Sequence, residues 1–155
     1  RFDPLAAVNS AHCQRYPCDM ASAPEINIVA DKRVPFDDTI PEMGVDYSGA
    51  TASMEMRPEP GAQGSPLVSL GMSVSGGEGL AITYDAAYPD PETGEVDDAT
   101  IVQIIVNETT LENLAYGADP ADEVTLYYDI HLMPDGGKKF VFCRGKFIVS
   151  PGVTQ

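Results

Sequence analysis

The chain predicts a mostly-β protein: an antiparallel β-sandwich, Ig-like or jelly-roll-like, of seven to eight strands with one short helix and an extended N-terminal arm. Three observations carry this. Glu123–Met133 and Lys138–Val149 are rich in β-branched and aromatic residues and flank Asp135-Gly-Gly, a strong hairpin signal. From Ala50 to Arg57 the residues alternate, with Ala50, Ala52, Met54 and Met56 on one side and Thr51, Ser53, Glu55 and Arg57 on the other, the mark of a half-buried antiparallel strand. Turn signals recur every 8–15 residues and only one segment reads as helix, a pattern typical of sandwiches and related barrels.

Residues 1–24 show no sustained period. Asn9, Ser10, Pro17, Ser22 and Pro24 disfavour a regular element, while Phe2, Leu5 and Tyr16 could anchor on a neighbouring surface; such an arm orders when it drapes over a partner. The sandwich domain is placed at 25–155. Ile26–Ala30 reads as its first strand. Arg33–Ile40 reads as an irregular second, and Pro35 assigns it to the periphery of a sheet. After the strand at 50–57, Pro58–Pro66 is loop by composition. Leu67–Met72 and Leu80–Tyr84 are short strands expected to pair with each other around Ser75–Gly79. Residues 85–98 read as a polar loop. Thr100–Val106, apolar almost throughout, reads as a central strand covered on both faces. Thr109–Ala115 is the helix, with Thr109 and Glu112 as a capping box and Gly117 as its stop.

The chain has 155 residues, enough for one core, and 24 acidic against 9 basic residues give a net charge of −15. Nucleic-acid binding is disfavoured, since it needs clustered lysine and arginine. No run of apolar residues is long enough for a spanning helix, so no membrane role is expected, and the N-terminus shows no signal-peptide pattern. Lys138, Lys139, Arg144 and Lys146 lie in the closing hairpin, where they guard an edge strand and offer a patch to an acidic neighbour.

Cys13 and Cys18 flank Gln-Arg-Tyr-Pro behind His12, but no second Cys/His pair exists to complete a zinc site. A local or intermolecular disulfide and free thiols both remain open for this pair. Cys143 sits mid-strand and reads as a small buried hydrophobe. The segment Asp85–Asp98 carries six carboxylates; within it Asp90, Glu92, Glu95, Asp97 and Asp98 form a weak calcium candidate without EF-hand spacing. The residues otherwise read as a solvated loop, long enough to favour a contact role. His131 and Asp129 share a strand face, and His131 reads as a solvent-face or interface residue. No nucleophile motif, zinc-protease motif or phosphate loop occurs, so no enzyme activity, cofactor or metal is expected.

Val45-Asp-Tyr-Ser-Gly-Ala-Thr-Ala-Ser-Met-Glu-Met-Arg57, the loop and strand that follow to Leu70, and Leu126–Leu132 through Asp135-Gly-Gly to Phe140–Val149 and Ser150-Pro-Gly-Val-Thr154 resemble small β-sandwich virion proteins of tailed bacteriophages. The resemblance is to tail-, baseplate- and neck-associated proteins, including the N-terminal domain of baseplate upper proteins, and spans about residues 25–154. The arm and the 85–98 segment depart from it. It implies a virion structural protein without catalytic residues, made in the host cytoplasm. Its implied role is an adapter that docks other virion proteins and copies of itself in a cyclic ring. A carbohydrate- or calcium-binding extracellular sandwich is the alternative.

Overall fold

A computed structural model describes residues 22–74, 76–114 and 121–151. In chain order the elements are β1 (Ile28–Asp31), β2 (Phe36–Met43), β3 (Thr51–Arg57), β4 (Val68–Leu70), β5 (Gly79–Pro89), β6 (Val96–Val106), α1 (Glu108–Glu112), β7 (Val124–Met133) and β8 (Phe140–Ser150). They form two sheets, one of five strands in the order β1-β8-β7-β3-β4 and one of three in the order β2-β6-β5. The predicted sandwich with its single short helix is the architecture found. The calls on Phe2, Leu5, Tyr16, Cys13 and Cys18 lie outside the described residues.

Inner-facing side chains interlock to make the core. Ala52, Met54 and Met56 of β3 and Leu126, Tyr128, Ile130 and Leu132 of β7 are buried on the five-stranded side. Leu80, Val102, Ile104 and Val106 oppose them from the three-stranded side, with Leu111 and Leu114 joining the same cluster. Phe147 of β8 meets Phe36 of β2 edge-on, with ring centroids 5.4 Å apart, so one aromatic contact spans the layers. Met72 bridges to Leu80, with Leu80 N–H donating to Gly71 O and Ser73 N–H to Leu80 O, both 2.8 Å. The two sheets are thereby stitched along one side. Gly79 permits this approach: its φ is +139°, and a Cβ there would lie 2.6 Å from the Gly71 carbonyl oxygen.

Four expectations need correction. First, the Leu67–Met72 and Leu80–Tyr84 segments do not form a hairpin; β4 pairs with β3, and β5 pairs with β6 over nearly its full length. The apolar face of each strand is satisfied by a different sheet, and only the Met72 bridge joins them. Second, 85–98 is not a loop. β5 runs to Pro89 and β6 starts at Val96, with a bulge between Asp85 and Tyr88 that absorbs the register shift. Only 90–95 turn, closed by Asp90 N–H to Glu95 O and Gly94 N–H to Asp90 O, both 2.8 Å.

Third, the capping box does not form. The helix starts at Glu108, so Thr109 is inside it. The Glu78 carboxylate, brought over from the turn before β5, accepts from Asn107 N–H (2.7 Å) and Thr110 Oγ1 (2.6 Å) instead. Ala115 and Gly117 lie outside the described residues. Fourth, β8 is not an edge strand. It is flanked by β1 in parallel and β7 antiparallel, so its backbone is paired on both sides and cannot accept an added strand.

The N-terminal entry to the sandwich crosses β8 tightly. Ile26 N–H donates to Arg144 O (2.8 Å) and Arg144 N–H to Pro24 O (3.1 Å). At Gly145 the parallel ladder is interrupted. Lys146 N–H goes to the Asn27 side chain (3.1 Å), and Ile26 O is taken by the Tyr128 hydroxyl (2.7 Å). Tyr128 stands opposite Gly145 across the strands and reaches over it, an aromatic covering a glycine. Cys143 lies beside it with Sγ 3.9 Å from Tyr128 Oη. It is fully buried and free, and burial pushes its thiol up to about 12, so it is an inert core residue as predicted.

Thr100, fully buried, donates to Val45 O (2.7 Å) and accepts from Tyr47 N–H (2.9 Å), pinning the chain after β2. Opposite it stands Glu42, whose carboxyl is raised above its ordinary 4.5 by burial. A carboxyl raised in the folded state favours folding while it is protonated, and that contribution is lost as pH rises through its folded pKa. Glu42→Gln therefore raises the melting midpoint at pH 7, and the gain shrinks towards zero below about pH 4.5. Calorimetry across that range checks it; a variant less stable than the native chain at pH 7 would contradict the assignment.

Candidate interaction surfaces

The three-stranded sheet has two edges, β5 of 11 residues and β2 of eight, and β2 is blunted. The Gly44 N–H to Asp98 O bond (2.7 Å) sets the phase of the β2–β6 ladder, so even-numbered residues of β2 bond to β6 and odd-numbered ones face outwards. Of those, Thr39 N–H is taken by the Asp38 carboxylate (2.8 Å) and Pro41 has none to offer. Charge and proline at such positions discourage strand addition. β1 and β4 are only four and three residues long. Strand addition at β2, β1 and β4 is therefore disfavoured, and β5 is the long edge that is left. Faces and turns offer the other surfaces.

The two faces differ in charge. No lysine or arginine occurs between Arg57 and Lys138, and that stretch supplies β5 and β6 entirely. β2 has none either. The three-stranded sheet thus carries Asp37, Asp38, Glu42, Asp85, Asp97 and Asp98 without a cation, and the 90–95 turn adds Asp90, Glu92 and Glu95. Tyr84 donates to Asp98 Oδ2 (3.3 Å); desolvation and then the carboxylates of Asp98, Asp46 and Asp97 push its phenol up.

The five-stranded sheet mixes cations and anions on its outer face. Arg144 stands opposite Asp129, Asp129 opposite Glu55, and Lys146 opposite Tyr127. Arg57 holds Glu55 at 2.9 Å, and Arg144 donates to Ser22 Oγ (2.6 Å). Lys138 and Lys139 extend this face into the β7–β8 turn, and neither pairs with a carboxylate among the described residues. The four predicted basic residues therefore share one side of the molecule without forming a single cluster.

Beside Lys139 lies a shallow depression of about 260 Å³, lined by Thr51, Ser53, His131 and Met133 among others. Sequence reading placed His131 on a solvent face, and there it is, with 30% of its side chain exposed. Ser53, His131 and Asp129 are the residue types of a hydrolytic triad, and Ser53 stands directly opposite His131. The geometry falls short of one. His131 Nε2 is 3.6 Å from Asp129 Oδ2, beyond hydrogen-bond length. Next to Ser53, the Ala52 N–H goes to Met72 Sδ (3.1 Å).

The calcium candidates are not gathered either. Asp90 Oδ1 accepts from Glu92 N–H (2.7 Å) and Thr93 N–H (3.3 Å), closing its own turn. Among the described residues no three His, Cys, Asp or Glu side chains are placed to hold a metal ion. No helix among them is long and apolar enough to cross a membrane. No protein-family model matches the sequence, and no curated protein matches it. The surfaces themselves are what function must be read from. The charge asymmetry was visible in the sequence as a basic-free stretch; its sorting onto one sheet was not, because that depends on which strands pair.

Proposed function

We propose that this chain is a non-enzymatic structural component of a tailed-bacteriophage virion, an adapter of the tail, baseplate or neck that docks neighbouring proteins and copies of itself. The observation that carries the reading is the charge division of the sandwich, with a cation-free acidic sheet and hairpin on one side and unpaired lysines on the other. Unlike patches on one molecule are what head-to-tail contacts in rings require. Complementary charge also steers association and sets register. The resemblance of residues 45–70 and 126–154 to phage sandwich proteins supplies the setting.

Quantitative mass spectrometry of gradient-purified particles tests this. The expected result is the intact chain at a fixed number of copies per particle. Particles assembled and infectious without the chain would overturn the proposal.

A further inference from the structure

We infer that the depression beside Lys139 is the receptor for the acidic turn 90–95 of a second copy, whose Glu92 and Glu95 carboxylates it takes. This rests on the assembly role proposed above and names its partner. Donors line the receptor: the Lys139 ammonium, the His131 ring and the hydroxyls of Thr51 and Ser53, over the apolar stem of Met133, which is 49% exposed. Asp129 faces His131 from the same strand, with Arg144 opposite it on β8 and Glu55 opposite it on β3; Glu55 is held by Arg57. Lys139 has no carboxylate partner among the described residues. A surface ammonium beside two hydroxyls offers a carboxylate charge-assisted hydrogen bonds.

The occupant is identified by the same accounting. In the turn, Asp90 is consumed by closing it, whereas Glu92 and Glu95 are exposed and their carboxylates make no hydrogen bond or ion pair among the described residues. The turn sits at the end of two strands that run past β2, which pairs no further than Ala99. It can therefore reach beyond its own sandwich. Val96 there is 65% exposed and can lie against Met133 of the receptor.

Receptor and turn also sit at the same end of the molecule. Tyr47 receives support from both: its N–H donates to Thr100 Oγ1 near the start of β6 (2.9 Å), and its ring lies 5.6 Å from that of Phe140 at the start of β8. A copy can thus pass its turn to the next with little rise along the strands. A head-to-tail contact without rise closes into a ring, while one with rise grows a filament.

Charge exchange tests the contact, read by sedimentation velocity in 50 mM and 500 mM salt. The native chain is expected to associate at low salt and dissociate at high salt. Lys139→Glu alone, and Glu92→Lys with Glu95→Lys, are each expected to weaken association by about tenfold or more. An equimolar mixture of these two variants, and a chain carrying all three changes, are expected to recover it. All three positions are exposed, so melting midpoints should hold to within about 2 °C, which separates lost contact from lost fold. A native chain monomeric at all concentrations, association indifferent to Lys139→Glu, or failure of the mixture to recover would each overturn the inference. A chain retained in particles but unaffected by these exchanges would sink the contact and leave the virion role standing. Recovery by exchange in a chain absent from particles would do the reverse.

Discussion

Replacing Gly145 by alanine lowers the melting midpoint by about 10 °C, the equivalent of about 3 kcal/mol. An added methyl would run into the Ile26 carbonyl, whose carbon lies 2.8 Å away, and into Asn27 Oδ1 at 3.3 Å. Backbone cannot yield as a flexible side-chain tip can, so residues 24–27 must lift from β8. Lifting them breaks Ile26 N–H to Arg144 O and Arg144 N–H to Pro24 O. It also strands the hydroxyl of the buried Tyr128, which donates to Ile26 O. Hydrogen exchange should show amides of 26–30 losing protection first, because β1 has only β8 as a partner. A midpoint within about 2 °C of the native chain would show that the crossing is looser than its distances say.

Phe147→Ala should cost about 4 kcal/mol, the largest loss expected of any single core truncation here. Phe147 is the largest fully buried side chain, with no exposed surface. Its ring also meets Phe36 at 76° across the two sheets. Truncation leaves a void under both layers and removes that contact, and β2, which pairs only with β6, keeps Ile40 as its remaining packing against the core. Urea denaturation of Phe147→Ala beside Phe147→Leu checks this. Leucine refills most of the volume, so it should retain well over half of the lost stability. Equal losses for the two variants would mean that the aromatic contact, rather than the volume, carries the effect.

The strands of the five-stranded sheet were legible because their patterns have one cause. In β3 and β7 one face is covered and the other is wet, so alternate residues must differ in polarity. Ala52, Met54 and Met56 against Ser53 and Glu55 record this directly. β6 was legible for the opposite reason, as an apolar run between two neighbours. Its continuation through Val96, Asp97 and Asp98 was not, because beyond β2 no layer covers the hairpin and hydrophobicity has nothing to report. Acidic residues and prolines then look like loop although the backbone ladder persists. The helix cap failed to show for a related reason. Its acceptor, Glu78, is 29 residues from Asn107, and local motifs cannot see it.

For the candidate surfaces, residue types could be read but not their neighbours. Lys139, His131 and Ser53 come from three segments, and only the β3–β7 register sets Ser53 opposite His131. The reading of β8 as an edge failed because its parallel partner β1 is more than a hundred residues away in the chain.

By itself the sequence determined the β class, the closing hairpin, the burial of Cys143 and the charge of the molecule, since each follows from local pattern or from composition. The tertiary structure alone decided which strands are edges, that the stretch without lysine or arginine builds β5 and β6 of one sheet, and why position 145 must be glycine. These depend on which distant backbone passes closest, and a close approach leaves no mark on the local sequence beyond the side chain it forbids.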